Sequence, residues 1–134
     1  MAVASYASSA APRRASRSVV TLVRDDGTAV CDHCVVADRM LPRMKGLLGR
    51  RELPPGEGML IEPAPSIHTF FMRFPIDAVF LSRDNEVLKV SPHVQPWRTR
   101  SCRRAFAVLE LAAGEAERRG IAQGQRLRAA ETEP

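Results

Sequence analysis

Short apolar runs alternate with turn signals along most of this chain, and this pattern predicts a mainly β fold. Residues 19–23 and 28–36 suit two strands, and Asp25-Asp26-Gly27 between them suits a hairpin because glycine accepts a positive φ. Six further runs have the length of strands: residues 59–62, 67–72, 76–82, 87–90, 104–111 and 125–129. The run at 76–82 is apolar on both faces, which indicates a central strand covered on both sides.

Two other segments have helical features. Residues 38–48 place leucine and methionine at helical spacing, with Pro42 in the first turn and Gly49 just after the last. Residues 115–119 begin with acidic and end with basic side chains.

Together the elements predict one domain at residues 19–129, an antiparallel β-sandwich or barrel with two short helices. The polar, Ala-rich residues 1–18 are expected to form a disordered tail, as are residues 130–134.

Residues 67–81 form the most apolar stretch and contain four of the five phenylalanines. His68 and Asp77 lie within this stretch, and an ionisable side chain buried there requires polar partners. Asp77 shares a predicted strand face with Val79 and Leu81, so its carboxylate needs two or three hydrogen-bond donors. We interpret it first as a structural anchor, and alternatively as a general base or metal ligand in a pocket.

His68 and Glu110 raise the same question, because each interrupts an apolar run. A single ionisable residue in such a run is more often a satisfied core residue than part of a site. If His68, Asp77 and Glu110 converged, however, they would form a His–carboxylate cluster able to bind a divalent metal or to perform acid–base chemistry. This hypothesis makes all three residues candidates for catalysis and ligand binding, and it makes a hydrolase or lyase the alternative function.

Cys31-Asp32-His33-Cys34 has the C-x-x-C spacing of metal and redox sites. A structural zinc site needs four ligands, and the sequence contains no second pair of this kind. The segment also reads as a strand, which would place Cys31 and Cys34 on opposite faces. A redox pair would instead need a helix beginning after the first cysteine. Both cysteines therefore remain weak metal candidates, and no metal or other cofactor is predicted.

The chain carries a formal net charge of +5, and only two of its twenty basic residues are lysines. Its densest basic cluster, residues 97–104, contains four arginines after a single tryptophan. Trp97 and Arg98 are therefore candidate ligand-binding residues, and the cluster supports phosphate or nucleic-acid binding as a third possible function. A single aromatic ring forms no stacking platform, so an exposed loop is the simpler interpretation and a nucleic-acid partner is not favoured.

No apolar run approaches the length of a membrane span, and the N-terminal residues lack the basic and leucine-rich segments of a secretory signal. The three cysteines cannot all pair. We therefore expect a cytoplasmic protein with reduced thiols.

Six ordered segments resemble the domain of unknown function 192 family of small prokaryotic proteins. One of them contains His68-Thr69-Phe70-Phe71-Met72. The six segments are residues 43–50, 56–61, 68–72, 75–81, 108–114 and 120–127. The resemblance implies a β-sandwich or barrel similar to a jelly roll, and it implies no established activity, cofactor or catalytic residue.

The sequence contains no nucleophile elbow, no phosphate-binding glycine loop and no clear metal motif. Jelly-roll-like barrels often bind small molecules at one end, although this is an analogy from the fold. We therefore expect an accessory domain that binds an unknown small molecule or protein partner.

Overall fold

The computed structural model describes residues 18–37 and 52–130. Within these ranges the chain is mainly β, as predicted, with nine strands and one short helix. The strands are β1 (Ser18–Arg24), β2 (Ala29–Ala37), β3 (Glu57–Ile61), β4 (Ser66–His68), β5 (Ile76–Leu81), β6 (Val87–Val94), β7 (Thr99–Ser101), β8 (Ala107–Ala112) and β9 (Leu127–Ala129). Helix α1 is Glu115–Arg118. The helix predicted at residues 38–48 lies outside the described residues.

Seven strands form one sheet in the order β6-β5-β8-β3-β2-β1-β9. The predicted, mainly antiparallel pairing has one exception, because β2 and β3 pair in parallel. A parallel pair needs a long crossover connection, and residues 38–56 between the two strands are long enough to provide it. The remaining neighbours pair antiparallel, including the predicted β1–β2 hairpin.

This sheet curls into a half-barrel, and its two edge strands approach each other at one end. Glu86, next to β6, forms an isolated bridge with Arg126, next to β9. The backbone N–H of Val87 donates to Gln125 at 2.8 Å, and that of Leu127 donates to Asn85 at 3.0 Å. The half-barrel does not by itself define a jelly roll, so the predicted jelly-roll arrangement stays a prediction.

Each face of the curled sheet carries a hydrophobic cluster. Leu60, Val79 and Leu109 belong to the first cluster, which α1 also contacts through Ala116. Ile61, Phe80 and Val108 belong to the second cluster, on the other face. All six residues of β5 are buried, because β5 lies between β6 and β8 and both its faces are covered. The expected coverage of both faces is confirmed, although β5 is the second strand from the edge of the sheet rather than its middle strand.

A separate two-stranded sheet, β4 with β7, lies over the second cluster. The strand predicted at residues 67–72 ends at His68, earlier than expected. The chain turns there because the Thr69 carbonyl accepts the N–H of Met72 at 3.2 Å, and Phe71 adopts a positive φ of 68°. This turn exposes the side chain of Phe71, whereas Thr69 and Met72 on either side of it stay buried.

Candidate ligand-binding site

Asp77 is a buried anchor for three backbone groups. One carboxylate oxygen accepts the N–H of His93 at 2.8 Å. The other accepts the N–H of Gly114 at 2.9 Å and that of Ala116 at 2.8 Å, at the start of α1. Three donors match the number that a buried carboxylate needs. The side chain thereby joins the end of β6 to the turn after β8.

The strand register separates Asp77 from Glu110. In the β5–β8 pair, Asp77 lies opposite Leu111, whereas Glu110 lies opposite Ala78. Directly opposed residues share a sheet face and neighbours in a strand alternate, so the two carboxylates point to opposite faces. The structure therefore does not bring His68, Asp77 and Glu110 together in one cluster. Among residues 18–37 and 52–130, no three His, Cys, Asp or Glu side chains are grouped to hold a metal ion.

Cys31 and Cys34 are both buried in the same cluster, although simple alternation places them on opposite faces. A bulge in the β1–β2 pair causes the difference, because Val20 pairs with Cys34 while Leu22 pairs with Cys31. A hydrogen bond with Cys31, together with burial, raises the pKa of the Cys34 thiol well above its usual range. A raised pKa disfavours the thiolate, which is the form that binds metals and reacts.

The structure brings the rings of His68, Phe70 and Phe71 together with the ring of Trp97, which is distant from them in sequence. The rings of His68 and Phe70 stack with their centroids 4.8 Å apart. The Phe70 ring stacks on Trp97 at 5.6 Å, and the Phe71 ring meets Trp97 at 4.6 Å with a tilt of 57°. We call these four residues the aromatic row. Sequence analysis identified His68 and Trp97 as candidates but did not predict that they belong to one surface.

Buried Thr69 holds the two halves of the aromatic row together. Its hydroxyl donates to the carbonyl oxygen of Gln95 at 2.6 Å and accepts the N–H of Arg98 at 2.9 Å. Its backbone N–H donates to the Arg98 carbonyl and its own carbonyl accepts the N–H of Trp97, both at 2.9 Å. These bonds fix the turn after β4 against the loop that precedes β7.

Two rings of the aromatic row are exposed, and the backbone of both residues is strained. Phe71 is 61% exposed and Trp97 is 54% exposed. Both have left-handed backbone, with φ values of 68° and 67°, which bulky residues rarely adopt. Such a conformation costs on the order of 1 kcal/mol per residue. Because both side chains are largely exposed, their burial contributes little free energy to offset this backbone strain. Strained residues of this kind are concentrated at functional sites.

A groove of about 570 Å³ begins at the aromatic row. It is lined by Ser66, Ile67, His68, Phe70, Lys89, Thr99, Arg100 and Ser101. The His68 Nδ1 atom accepts the N–H of Phe70 at 3.3 Å, and the Lys89 ammonium donates to the Ser101 carbonyl at 2.9 Å. The lining thus combines two rings, two cations and several hydroxyl groups.

The charge of the chain is concentrated in the segments that build this face. Residues 63–76 and 87–109 contain six basic side chains and no acidic one: Arg73, Lys89, Arg98, Arg100, Arg103 and Arg104. The rest of the chain has fourteen basic and fifteen acidic side chains. These segments carry a local excess of positive charge, and their lack of acidic residues is a sequence signal that could have pointed to the groove.

None of the helices among the described residues has the length and apolar character needed to cross a bilayer.

Two solved structures are similar to this one. The first comes from Sinorhizobium meliloti 1021 and is provisionally described as a transcription regulator. Its sequence is 24% identical, its TM-score is 0.73, and the match covers 89% of this chain and 98% of that chain. The second, a protein of unknown function from Novosphingobium aromaticivorans DSM 12444, is 25% identical, with a TM-score of 0.70 over 91% of this chain and 95% of that chain. Both likenesses support the fold described above. The chain matches no curated protein.

The model of the DUF192 family, described as Uncharacterized ACR, matches residues 21–129. This range includes every strand from β2 to β9, the groove and the aromatic row. The resemblance seen in the sequence is confirmed, and the chain belongs to the DUF192 family.

Proposed function

We propose that this protein is a small-ligand-binding domain whose groove holds an anionic molecule with a planar ring. The observation that carries the proposal is the composition of the groove, in which stacked rings and two cations line one concave surface. A volume of about 570 Å³ is within the range of small-molecule sites. The proposal makes His68 a ligand-contacting residue, and it leaves Asp77 and Glu110 outside the groove.

The charge of the lining argues for an anionic ligand. Lys89 and Arg100 are the ionised side chains that line the groove, and no carboxylate among the described residues lines it with them. Arginine is well suited to phosphate or carboxylate because its planar group donates two parallel hydrogen bonds. Hydroxyl groups of Thr99 and Ser101 add neutral donors and acceptors beside the two cations.

The rings argue for a planar part of the ligand. His68 and Phe70 both line the groove and contact each other, so one side of the groove is built of aromatic rings. A planar ring placed against this surface gains contact area and an aromatic interaction. A nucleoside monophosphate combines such a ring with an anionic group, and it is therefore a suitable probe.

The hydrolase or lyase alternative has less support. Both oxygens of Asp77 accept backbone N–H groups, so the carboxylate is already occupied as an anchor. Glu110 lies on the opposite sheet face. A general base would need access to a substrate in the same cavity as its partner groups.

Isothermal titration of the full chain with adenosine monophosphate tests the proposal, with adenosine and inorganic phosphate as partial ligands. We expect the monophosphate to bind more tightly than either part, and Arg100→Gln to weaken it about tenfold because a charge-assisted hydrogen bond is lost. Arg128→Gln on β9 removes an exposed arginine away from the groove lining and is the matched control. Equal affinity of both variants, or no binding of the monophosphate by the wild type, would refute the proposal.

A further inference from the structure

The aromatic row is longer than the groove needs. His68 and Phe70 line the groove, but Trp97 and Phe71 continue the row beyond it. A ligand confined to the groove would leave these two exposed rings unused. Trp97 is 54% exposed and Phe71 is 61% exposed, so each keeps ring surface open to a further planar group although the two rings also contact each other.

Basic residues lie close to these rings in the sequence. Arg98 comes directly after Trp97 and is exposed, Arg100 lines the groove, and Arg73 is exposed two residues after Phe71. The segments that carry them contain no acidic residue. A ligand that fits this surface therefore repeats both a planar ring and a negative charge. Single-stranded nucleic acid has this repeat, with one base and one phosphate per nucleotide.

Other anionic polymers fit less well. Duplex nucleic acid keeps its base faces stacked inside the helix, so the exposed rings of Trp97 and Phe71 would have nothing to stack on. A sulfated polysaccharide carries the charge without aromatic bases. Residues 97–104 contain one aromatic ring, which alone forms no stacking platform, but the fold adds three more rings from residues 68–71.

We propose that the occupant of the groove is one nucleotide of a single-stranded nucleic acid, and that neighbouring bases stack on Trp97 and Phe71. This inference rests on the proposed function, because the groove must hold a nucleotide. Arg98 and Arg73 contact the phosphates that flank the stacked bases. Recognition of this kind depends on stacking and charge, so it tolerates many sequences.

Trp97 is the only tryptophan of the chain, so its fluorescence reports directly on stacking. We would titrate the full chain with an oligothymidylate of about eight nucleotides, a length within the usual site size of such surfaces. We expect quenching of the fluorescence, binding at least about tenfold tighter than thymidine monophosphate, and affinity that falls steeply with salt. Heparin and a duplex of the same length are the comparison polymers and should bind more weakly.

Phe71→Ala separates the two proposals, because Phe71 does not line the groove. This variant should weaken the oligonucleotide about fivefold or more and leave the monophosphate unchanged. Arg98→Gln should reduce the salt dependence, with Arg128→Gln as the control.

Failure of the two proposals gives different results. If the monophosphate binds but the oligonucleotide binds no more tightly, or if Phe71→Ala changes nothing, the inference is wrong and the proposed function stands. If neither ligand binds, both are wrong. Heparin binding as tightly as the oligonucleotide would show that charge alone is recognised, and would also overturn the inference.

Discussion

Replacing Asp77 with asparagine tests whether this buried carboxylate is an anchor. The wild-type side chain accepts three backbone N–H groups, two at one oxygen and one at the other. Asparagine has nearly the same shape but a single carbonyl oxygen, and its amide group is a donor. Whichever way the amide is turned, its NH₂ group faces at least one backbone donor.

The loss can be estimated from these three contacts. If the asparagine carbonyl takes the position that bonds Gly114 and Ala116, the His93 N–H loses its acceptor. A hydrogen bond to a charged group contributes about 1.5–3 kcal/mol, and a neutral one about 1 kcal/mol. One bond is lost and two become neutral, so we expect Asp77→Asn to lower the free energy of unfolding by at least about 2.5 kcal/mol.

Urea titration followed by circular dichroism measures this change as a lower midpoint at an unchanged slope. Asp32→Asn is the control, because this half-exposed carboxylate pairs with Arg119 at 3.2 Å and an exposed pair contributes about 1 kcal/mol or less. Unchanged or raised stability of Asp77→Asn would refute the anchor, because the carboxylate would then be kept there at a cost, as functional groups often are.

Three further predictions concern the aromatic row and the cysteines. Thr69→Val removes the hydroxyl that joins the two halves of the aromatic row, and should lower the free energy of unfolding in urea titration by about 1–3 kcal/mol. A change within error would mean that water replaces these hydrogen bonds. Phe71→Asn places a residue that tolerates a positive φ at an exposed position. The free energy of unfolding, measured by thermal denaturation, should stay unchanged or rise by up to about 1 kcal/mol. A clear loss would mean that packing of the Phe71 ring outweighs the backbone strain. A thiol reagent at pH 8 should modify Cys102 in the native protein but not buried Cys31 and Cys34, since the raised pKa of the Cys34 thiol keeps it neutral; rapid reaction of all three thiols would contradict this burial.

Local patterns predicted the elements of the fold well. The β1–β2 hairpin follows from a turn sequence between two apolar runs, and the burial of β5 follows from its apolar residues on both faces. The parallel pairing of β2 and β3 does not follow from either strand, because residues 38–56 separate them and the pairing is decided by the whole sheet. Long-range pairing of this kind has no signature within a single run of residues.

The cysteines show the same limit at the scale of side chains. A period of two predicted that Cys31 and Cys34 point to opposite faces, but the bulge adds one residue and turns both into the core. The aromatic row likewise depends on bonds between Thr69 and the loop at residues 95–98. The residue types were visible in the sequence, whereas their convergence required the tertiary structure.

Register explains why the most conspicuous polar residues do not form a site. A shift of one residue in the β5–β8 pairing would place Asp77 and Glu110 on one face, and the observed register places them on two. Asp77 instead binds the N–H of His93, just before the loop whose Gln95 carbonyl accepts the Thr69 hydroxyl. The Asp77 anchor therefore helps to fix the loop that carries Trp97, one ring of the aromatic row. Asp77→Asn should therefore weaken ligand binding less than Arg100→Gln does, because Asp77 acts through this loop and does not line the groove, and equal losses would contradict this indirect role.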